Sequence, residues 1–268
     1  MKGKSRGIAL VTGASRGIGK AVSEALVKKG YTVIGTCRDP RKVKKDEAVD
    51  GVQYLPLDLT SAKSIDALAR RVRQVDVLVN NAGTSMIGPI EETDMNAARE
   101  LFELNFFGQM ALTQRYLSGM REKRQGKIIF IGSMSGEAGL MYHAMYASSK
   151  AAIKAAARTL RQEMKEFGVR VTVLAPFHIN TTIPQERQFK EKSAYSENVK
   201  MIKATRDKEM AVAPGPRVVA GKILQILEDP RPRFFYPVGK GGEMQAFLMR
   251  HLPRGVVDSI ANKVFHSK

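Results

Sequence analysis

Short runs of aliphatic and β-branched residues alternate along the chain with longer stretches in which apolar residues recur every three to four positions. The runs Gly7 to Val11, Tyr31 to Thr36, Val52 to Leu57, Val75 to Val79, Lys127 to Ile131, Val169 to Leu174 and Arg233 to Tyr236 predict seven strands. Residues 17–29, 61–73, 93–119, 146–167 and 216–228 carry helical periodicity. Such alternation needs right-handed crossovers, which build a parallel sheet covered by helices on both faces. The expected fold class is therefore α/β, a single doubly wound domain over residues 1–268 with a seven-stranded sheet. Gly30, Pro40 and Gly168 punctuate the pattern where helices and strands should end.

Two segments stand outside the alternation. Residues 180–216 have mixed charge, show no clear strand and close on Pro214-Gly215-Pro216. An irregular insertion of that length in a compact domain is expected to be a partly helical lid over a site. Residues 241–268 predict an amphipathic extension of two short helices broken at Pro253, with Phe247, Leu248, Leu252, Val256, Val257, Ile260, Val264 and Phe265 as its apolar set.

Composition narrows the class. The 268 residues are near the upper size for one hydrophobic core, and 43% hydrophobic with 26% charged residues fits an ordinary globular chain. The single cysteine, Cys37, excludes an internal disulfide and a thiolate zinc centre, so a reducing, cytoplasmic setting and no metal are expected. No apolar run reaches the roughly 18 residues that span a bilayer. A net charge of +18 comes without a basic tail or an aromatic-interleaved basic motif, so a cationic solvated surface is expected rather than a nucleic-acid partner. The apolar faces of the tail, with Arg250, Arg254 and Lys263 nearby, leave weak peripheral membrane contact open.

Directly after the first strand stands Thr12-Gly13-Ala14-Ser15-Arg16-Gly17-Ile18-Gly19. Between a strand and a helix, glycines at this spacing let the backbone turn tightly and approach a pyrophosphate, whose charge the free amides at the helix start favour. A Rossmann-type dinucleotide loop is expected here rather than an ordinary glycine turn. At the end of the second strand, where an acid would hold the ribose hydroxyls of NAD, the chain has Cys37 and Arg38. Arg38 and Arg16 suit a 2′-phosphate, so NADP(H) is the expected cofactor, with Asp39 as the competing ribose acceptor.

Tyr146 and Lys150 lie four residues apart in a helical run and so share one face. Lowering a phenol from its reference pKa near 10 by about three units takes roughly 4 kcal/mol of differential stabilisation, which a neighbouring ammonium can supply. Such a tyrosine can give a proton to an alkoxide or take one from an alcohol.

The loop at 12–19, Asn80-Asn81-Ala82-Gly83, Asn105, Ser133 and the Tyr146/Lys150 pair together resemble the short-chain dehydrogenase/reductase family through about residue 180. The resemblance implies that Ser133 holds the substrate oxygen and that Asn105 keeps a helix irregularity linked to Lys150 in a proton relay. It also implies that Asn81, Ala82 and Gly83 wall the adenosine side, that Asp58 with Leu59 meets the adenine, and that Pro176, Ile179 and Thr181 border the nicotinamide. Where the family often has glycine after the proline, this chain has Phe177, whose bulk is expected to narrow the pocket or shift the loop. His178 beside it is a possible substrate contact, while a structural or solvated histidine is the commoner outcome there. Leu140, Met141, Tyr142, Met145, Phe177 and Phe189 are the expected apolar substrate set.

The Arg38 site, the Ile131 to Gly136 segment and the long tail resemble most closely the branch of 17β-hydroxysteroid and retinol dehydrogenases. That branch implies NADP(H)-dependent interconversion of a ketone or aldehyde and an alcohol on an apolar steroid-, retinoid- or lipid-like molecule. The alternatives are a 3-oxoacyl-type reductase and a non-catalytic NADP-binding sensor. Family members are commonly homo-oligomers, and a dimer or tetramer on helices 93–119 and 146–167 is expected.

Overall fold

In the computed structural model, residues 5–181, 183–188, 190, 192–252 and 255 are described. The main sheet holds β1 (Ile8–Val11), β2 (Thr32–Cys37), β3 (Val52–Pro56), β4 (Val77–Asn80), β6 (Gly126–Ile131), β7 (Val169–Pro176) and β9 (Phe235–Val238), in the order β3-β2-β1-β4-β6-β7-β9. Every neighbouring pair is parallel. The sheet therefore winds outward both ways from β1 and β4, as the strand–helix alternation requires. β5 (Ser85–Ile87) and β8 (Gln185–Arg187) form a separate parallel pair.

Alternation along the strands splits the core in two. Leu10, Leu78, Ile128, Phe130, Val171 and Val173 point to one face, where they meet Ile65 and Leu68 of α2 (Ala62–Arg71), Leu112, Tyr116 and Met120 of α4 (Gly108–Glu122), and Ile153, Ala157 and Leu160 of α6 (Ala144–Glu163). Ala9, Val11, Val77, Val79, Ile129 and Ile131 point to the other, against Val22 and Leu26 of α1 (Gly17–Lys28) and Val219, Ile223 and Ile226 of α8 (Arg217–Glu228). A strand buried on both faces has no polar side to show, which is why these segments are nearly continuous apolar runs.

Three expectations needed correction. The helix expected over 93–119 is α3 (Met95–Phe102), a π-helical turn at Glu103–Phe107 and then α4. At the junction Gly108 packs so tightly on Leu59 that a Cβ would stand 2.1 Å from the Leu59 carbonyl oxygen. Within residues 180–216 there is a strand after all, β8, followed by α7 (Ser196–Ala211). The last strand lies two residues beyond its expected start, at Phe235–Val238. The tail begins with α9 (Gly242–His251), and the second helix expected beyond Pro253 lies outside the described residues.

Candidate active site

The chain leaves β1 and β4 toward opposite faces of the sheet, and this divergence opens a crevice at their carboxyl ends, where ligands of open α/β sheets bind. A cavity of about 1550 Å³ runs through it. Gly13, Ser15, Arg16, Gly17 and Ile18 line one end. Gly13 and Gly17 have φ of +64° and +54°, a backbone that side chains resist. Gly19 does not reach the cavity; it seats the helix on the loop, since a Cβ there would lie 2.2 Å from the Gly13 carbonyl oxygen. Thr12 Oγ1 accepts from the amides of Asn81 and Ala82, both at 2.9 Å, and the Asn81 side chain donates to the Thr12 carbonyl at 2.8 Å. These bonds fix Asn81, Ala82 and Gly83 as the facing wall.

The start of α1 has no side-chain cap and no acid in its first turn. Its first residues, Gly17 and Ile18, line the cavity, so the positive end of the helix dipole lies there, which fits a dinucleotide pyrophosphate. Arg16, Arg38, Asp58 and Leu59 line the cavity as well. Asp39 lines it too, but its carboxylate binds Arg41, with Nε donating to Oδ1 at 2.9 Å and Nη2 to Oδ2 at 3.1 Å. Asp58 is also engaged, Oδ1 accepting from the Thr60 amide at 2.9 Å and the Thr60 hydroxyl at 2.7 Å.

At the other end Ser133, Tyr146 and Lys150 line the cavity together. Ser133 follows β6, and its Oγ accepts from the Ser135 amide at 3.1 Å. Lys150 is 4% exposed, its Nζ donating to the Ile131 carbonyl at 2.9 Å and lying 5.9 Å from the centre of the Tyr146 ring. Burial lowers the lysine pKa to about 8. Asn105 sits fully buried in the π-helical turn, behind the cavity wall. Its Oδ1 accepts from the Thr84 amide at 3.0 Å, while Nδ2 donates to the Thr84 carbonyl at 2.9 Å and to Ser149 Oγ at 3.2 Å. Gly83 lies between the two: a Cβ there would be 2.9 Å from Asn105 Oδ1 and 3.6 Å from Lys150 Nζ. The site thus holds a hydroxyl, a phenol and a buried cation around one opening, a set able to handle a proton at an oxygen atom.

Pro176, Phe177, His178, Ile179, Thr181 and Met141 also line the cavity. Tyr142 does not. Its backbone is left-handed at φ +61°, its ring meets Tyr195 edge-on at 6.0 Å, and its hydroxyl accepts from Asn198 at 3.3 Å. Phe189 lies outside the described residues. Sequence reasoning missed His143, Ile202, Thr205, Glu209 and Met210 of α7, and Gln245 and Met249 of α9, all on the wall. The i, i+3, i+4, i+7 spacing of Gln245, Leu248, Met249 and Leu252 was the available signal.

A parallel sheet with this crevice, glycine loop and serine–tyrosine–lysine group defines a dinucleotide-dependent oxidoreductase of the short-chain type. The family model described as short chain dehydrogenase matches residues 7–192, and the chain belongs to that family. It is 31% identical to a 3-oxoacyl-[acyl-carrier-protein] reductase of Vibrio cholerae over 82% of this chain and 95% of the other. It is 34% identical to retinol dehydrogenase 8 of Homo sapiens over 62% and 57%. Among solved structures, a short-chain dehydrogenase from Streptomyces avermitilis superposes with a TM-score of 0.82 at 31% identity, covering 98% of each chain.

Proposed function

We propose that this oxidoreductase uses NADP(H) to interconvert a ketone or aldehyde and an alcohol on an apolar small molecule, of the kind handled by the hydroxysteroid and retinol dehydrogenase branch. The observation that carries the reading is a lysine ammonium kept in the protein interior beside Tyr146, on the wall of a cavity whose other end is an uncapped helix start. When bound, the nicotinamide supplies a hydride to the carbonyl carbon or takes one from the alcohol carbon. The protein's own part is the proton and the positioning. In reduction the Ser133 hydroxyl donates a hydrogen bond to the carbonyl oxygen, and Tyr146 delivers the proton that completes the alcohol. Lys150 favours the phenolate left behind, and Asn105 holds the Thr84 strand end and the Ser149 turn of α6 in register with it. Gly13, Ser15, Arg16, Gly17 and Ile18 would hold the pyrophosphate side, with Arg38 beside the 2′-phosphate.

The NADP preference rests on Arg16 and Arg38 both lining the cavity while Asp39 is committed to Arg41. Arg38→Asp should raise the NADPH dissociation constant by about 10- to 100-fold, the scale of losing a charge-assisted pair, and improve NADH binding. Unchanged NADPH affinity in the variant would count against the assignment. The overall test is a panel of apolar ketones, aldehydes and alcohols run with both dinucleotides and followed by nicotinamide absorbance. A 3-oxoacyl thioester belongs in it, because the extensive likeness to the Vibrio reductase favours that substrate as the second reading. No turnover with any member would leave the non-catalytic sensor.

A further inference from the structure

We propose that Phe177 and His178 are positioning residues that set the reach of the substrate lobe, Phe177 by seating α9 and His178 by tethering α7. The inference deepens the proposed function and rests on it for the identity of the carbonyl end. Phe177 takes the place where a glycine was expected, and three glycines downstream pack on it, Gly239 against its backbone carbonyl and Gly241 and Gly242 against its side chain. Its amide donates to the Val238 carbonyl at 2.7 Å. Gly239, at φ +123°, lies against its carbonyl so closely that a Cβ would stand 1.9 Å from that oxygen. A Cβ at Gly242, the first residue of α9, would stand 3.2 Å from the Phe177 Cβ, and one at Gly241 would be 3.8 Å from the ring. The helix seated there packs on α5 (Ser135–Ala138), the turn that follows Ser133, and turns Gln245, Leu248, Met249 and Leu252 toward the cavity.

His178 packs its ring on that of Phe177 and turns its Nδ1 to α7. It holds a left-handed backbone at φ +46°, a conformation that persists only where the surroundings enforce it. Its Nδ1 lies 3.3 Å from Glu209 Oε2, on the α7 stripe that includes Ile202, Thr205 and Met210. Its ring centre is 3.9 Å from that of Phe177, so the two anchors brace one another. Adjacent residues thus join both helical walls to the end of β7, beside the reacting group. Ile202, Met210, Leu248, Met249 and Leu252 give the walls of that lobe an apolar majority, broken by Thr205, Glu209 and Gln245, which suits the apolar body of a substrate remote from its carbonyl.

The chain has no tryptophan, so Leu252→Trp installs a single reporter on the far wall. With NADP⁺ present, titration of this variant with 2-decanone should shift its emission saturably. Adding Phe177→Gly should raise the 2-decanone dissociation constant about tenfold, the effect of uncovering roughly two methylenes, and Glu209→Ala should raise it severalfold. Phe177→Leu, which refills the seat, should restore it to within about threefold, with NADP⁺ affinity changed by less than about twofold in every variant. In turnover assays of the otherwise native chain, Phe177→Gly should lower the ratio of kcat/KM for 2-decanone to that for 2-butanone by about tenfold. No saturable response to 2-decanone, an unmoved dissociation constant or ratio in Phe177→Gly, or leucine no better than glycine overturns the inference. A reporter response obeying this pattern in a chain that turns over no carbonyl would overturn the proposed function and leave the inference standing.

Discussion

Replacing Tyr146 with phenylalanine should lower kcat by about three orders of magnitude, the range of a lost general acid, and leave the NADPH dissociation constant within about twofold. That corresponds to roughly 4 kcal/mol of transition-state stabilisation. The substitution takes away one oxygen and keeps the ring that lies 5.9 Å from the Lys150 ammonium. The glycine loop and Arg38, the proposed pyrophosphate and 2′-phosphate sides, keep every atom, and the Tyr146 ring stays beside the site. A proton must reach the carbonyl oxygen as the hydride reaches its carbon, and of the groups around the opening Ser133 and Lys150 are poorly suited to the task. A serine hydroxyl is too weak an acid, and the lysine is held in the interior, with one of its three donors on the Ile131 carbonyl and its charge beside the phenol. The check is steady-state turnover with the best carbonyl of the panel, together with NADPH binding followed by fluorescence. Turnover within tenfold of the native enzyme would remove Tyr146 from the role.

The sheet was legible because burial on both faces leaves an apolar signature that local sequence carries unaided, and because Gly30 and Gly168 end the segments before strands, both at positive φ. The pairing of Tyr146 with Lys150 was legible for a similar reason, since a spacing of four on a helix is already a distance. The irregularity at Asn105 came from the family resemblance and is the π-helical turn at Glu103–Phe107; the periodicity alone did not show it. Residues 93–119 keep their periodicity through it, and the bulge is imposed by the approach of Gly108 to Leu59 and by Asn105 bonding sideways to Thr84. β8 was hidden because Gln185-Glu186-Arg187 has no strand pattern of its own. It forms by pairing with Ser85–Ile87, extended by the Ser85 amide on the Pro184 carbonyl at 2.9 Å and the Gln188 amide on the Ile87 carbonyl at 2.9 Å. Tyr142 was misjudged because composition cannot say which way a left-handed residue turns its side chain. Phe177 was expected to narrow or shift the nicotinamide side, and the glycines that seat it lie about sixty residues further on, beyond the reach of any local pattern.

Lys150→Met should abolish turnover as thoroughly as the tyrosine change, by about a thousandfold, without a comparable loss of stability. An ammonium in the interior is disfavoured, and burial has already brought its pKa from 10.5 to about 8. Methionine has a similar length and no charge to desolvate, though it leaves the Ile131 carbonyl without its donor, a cost of about 1–3 kcal/mol that offsets much of the relief. The melting temperature at pH 7 should therefore change by only a few degrees. The pH dependence separates the two contributions. The unfolded lysine keeps its proton up to about pH 10.5 and the folded one releases it near 8, so between these values the unfolded chain binds more protons and stability gains with rising pH. Below pH 8 both states are protonated and the full burial cost is present. Chemical denaturation of the native chain should accordingly show a contribution that grows from pH 8 to 10, and Lys150→Met should lack it. Under the proposed function the cost of this buried cation is offset by what it does to Tyr146, and the pH profile tests that reading. A variant that unfolds at room temperature, or one whose stability follows the same pH profile as the native chain, would mean that the lysine is held for packing and that the phenol is tuned by something else.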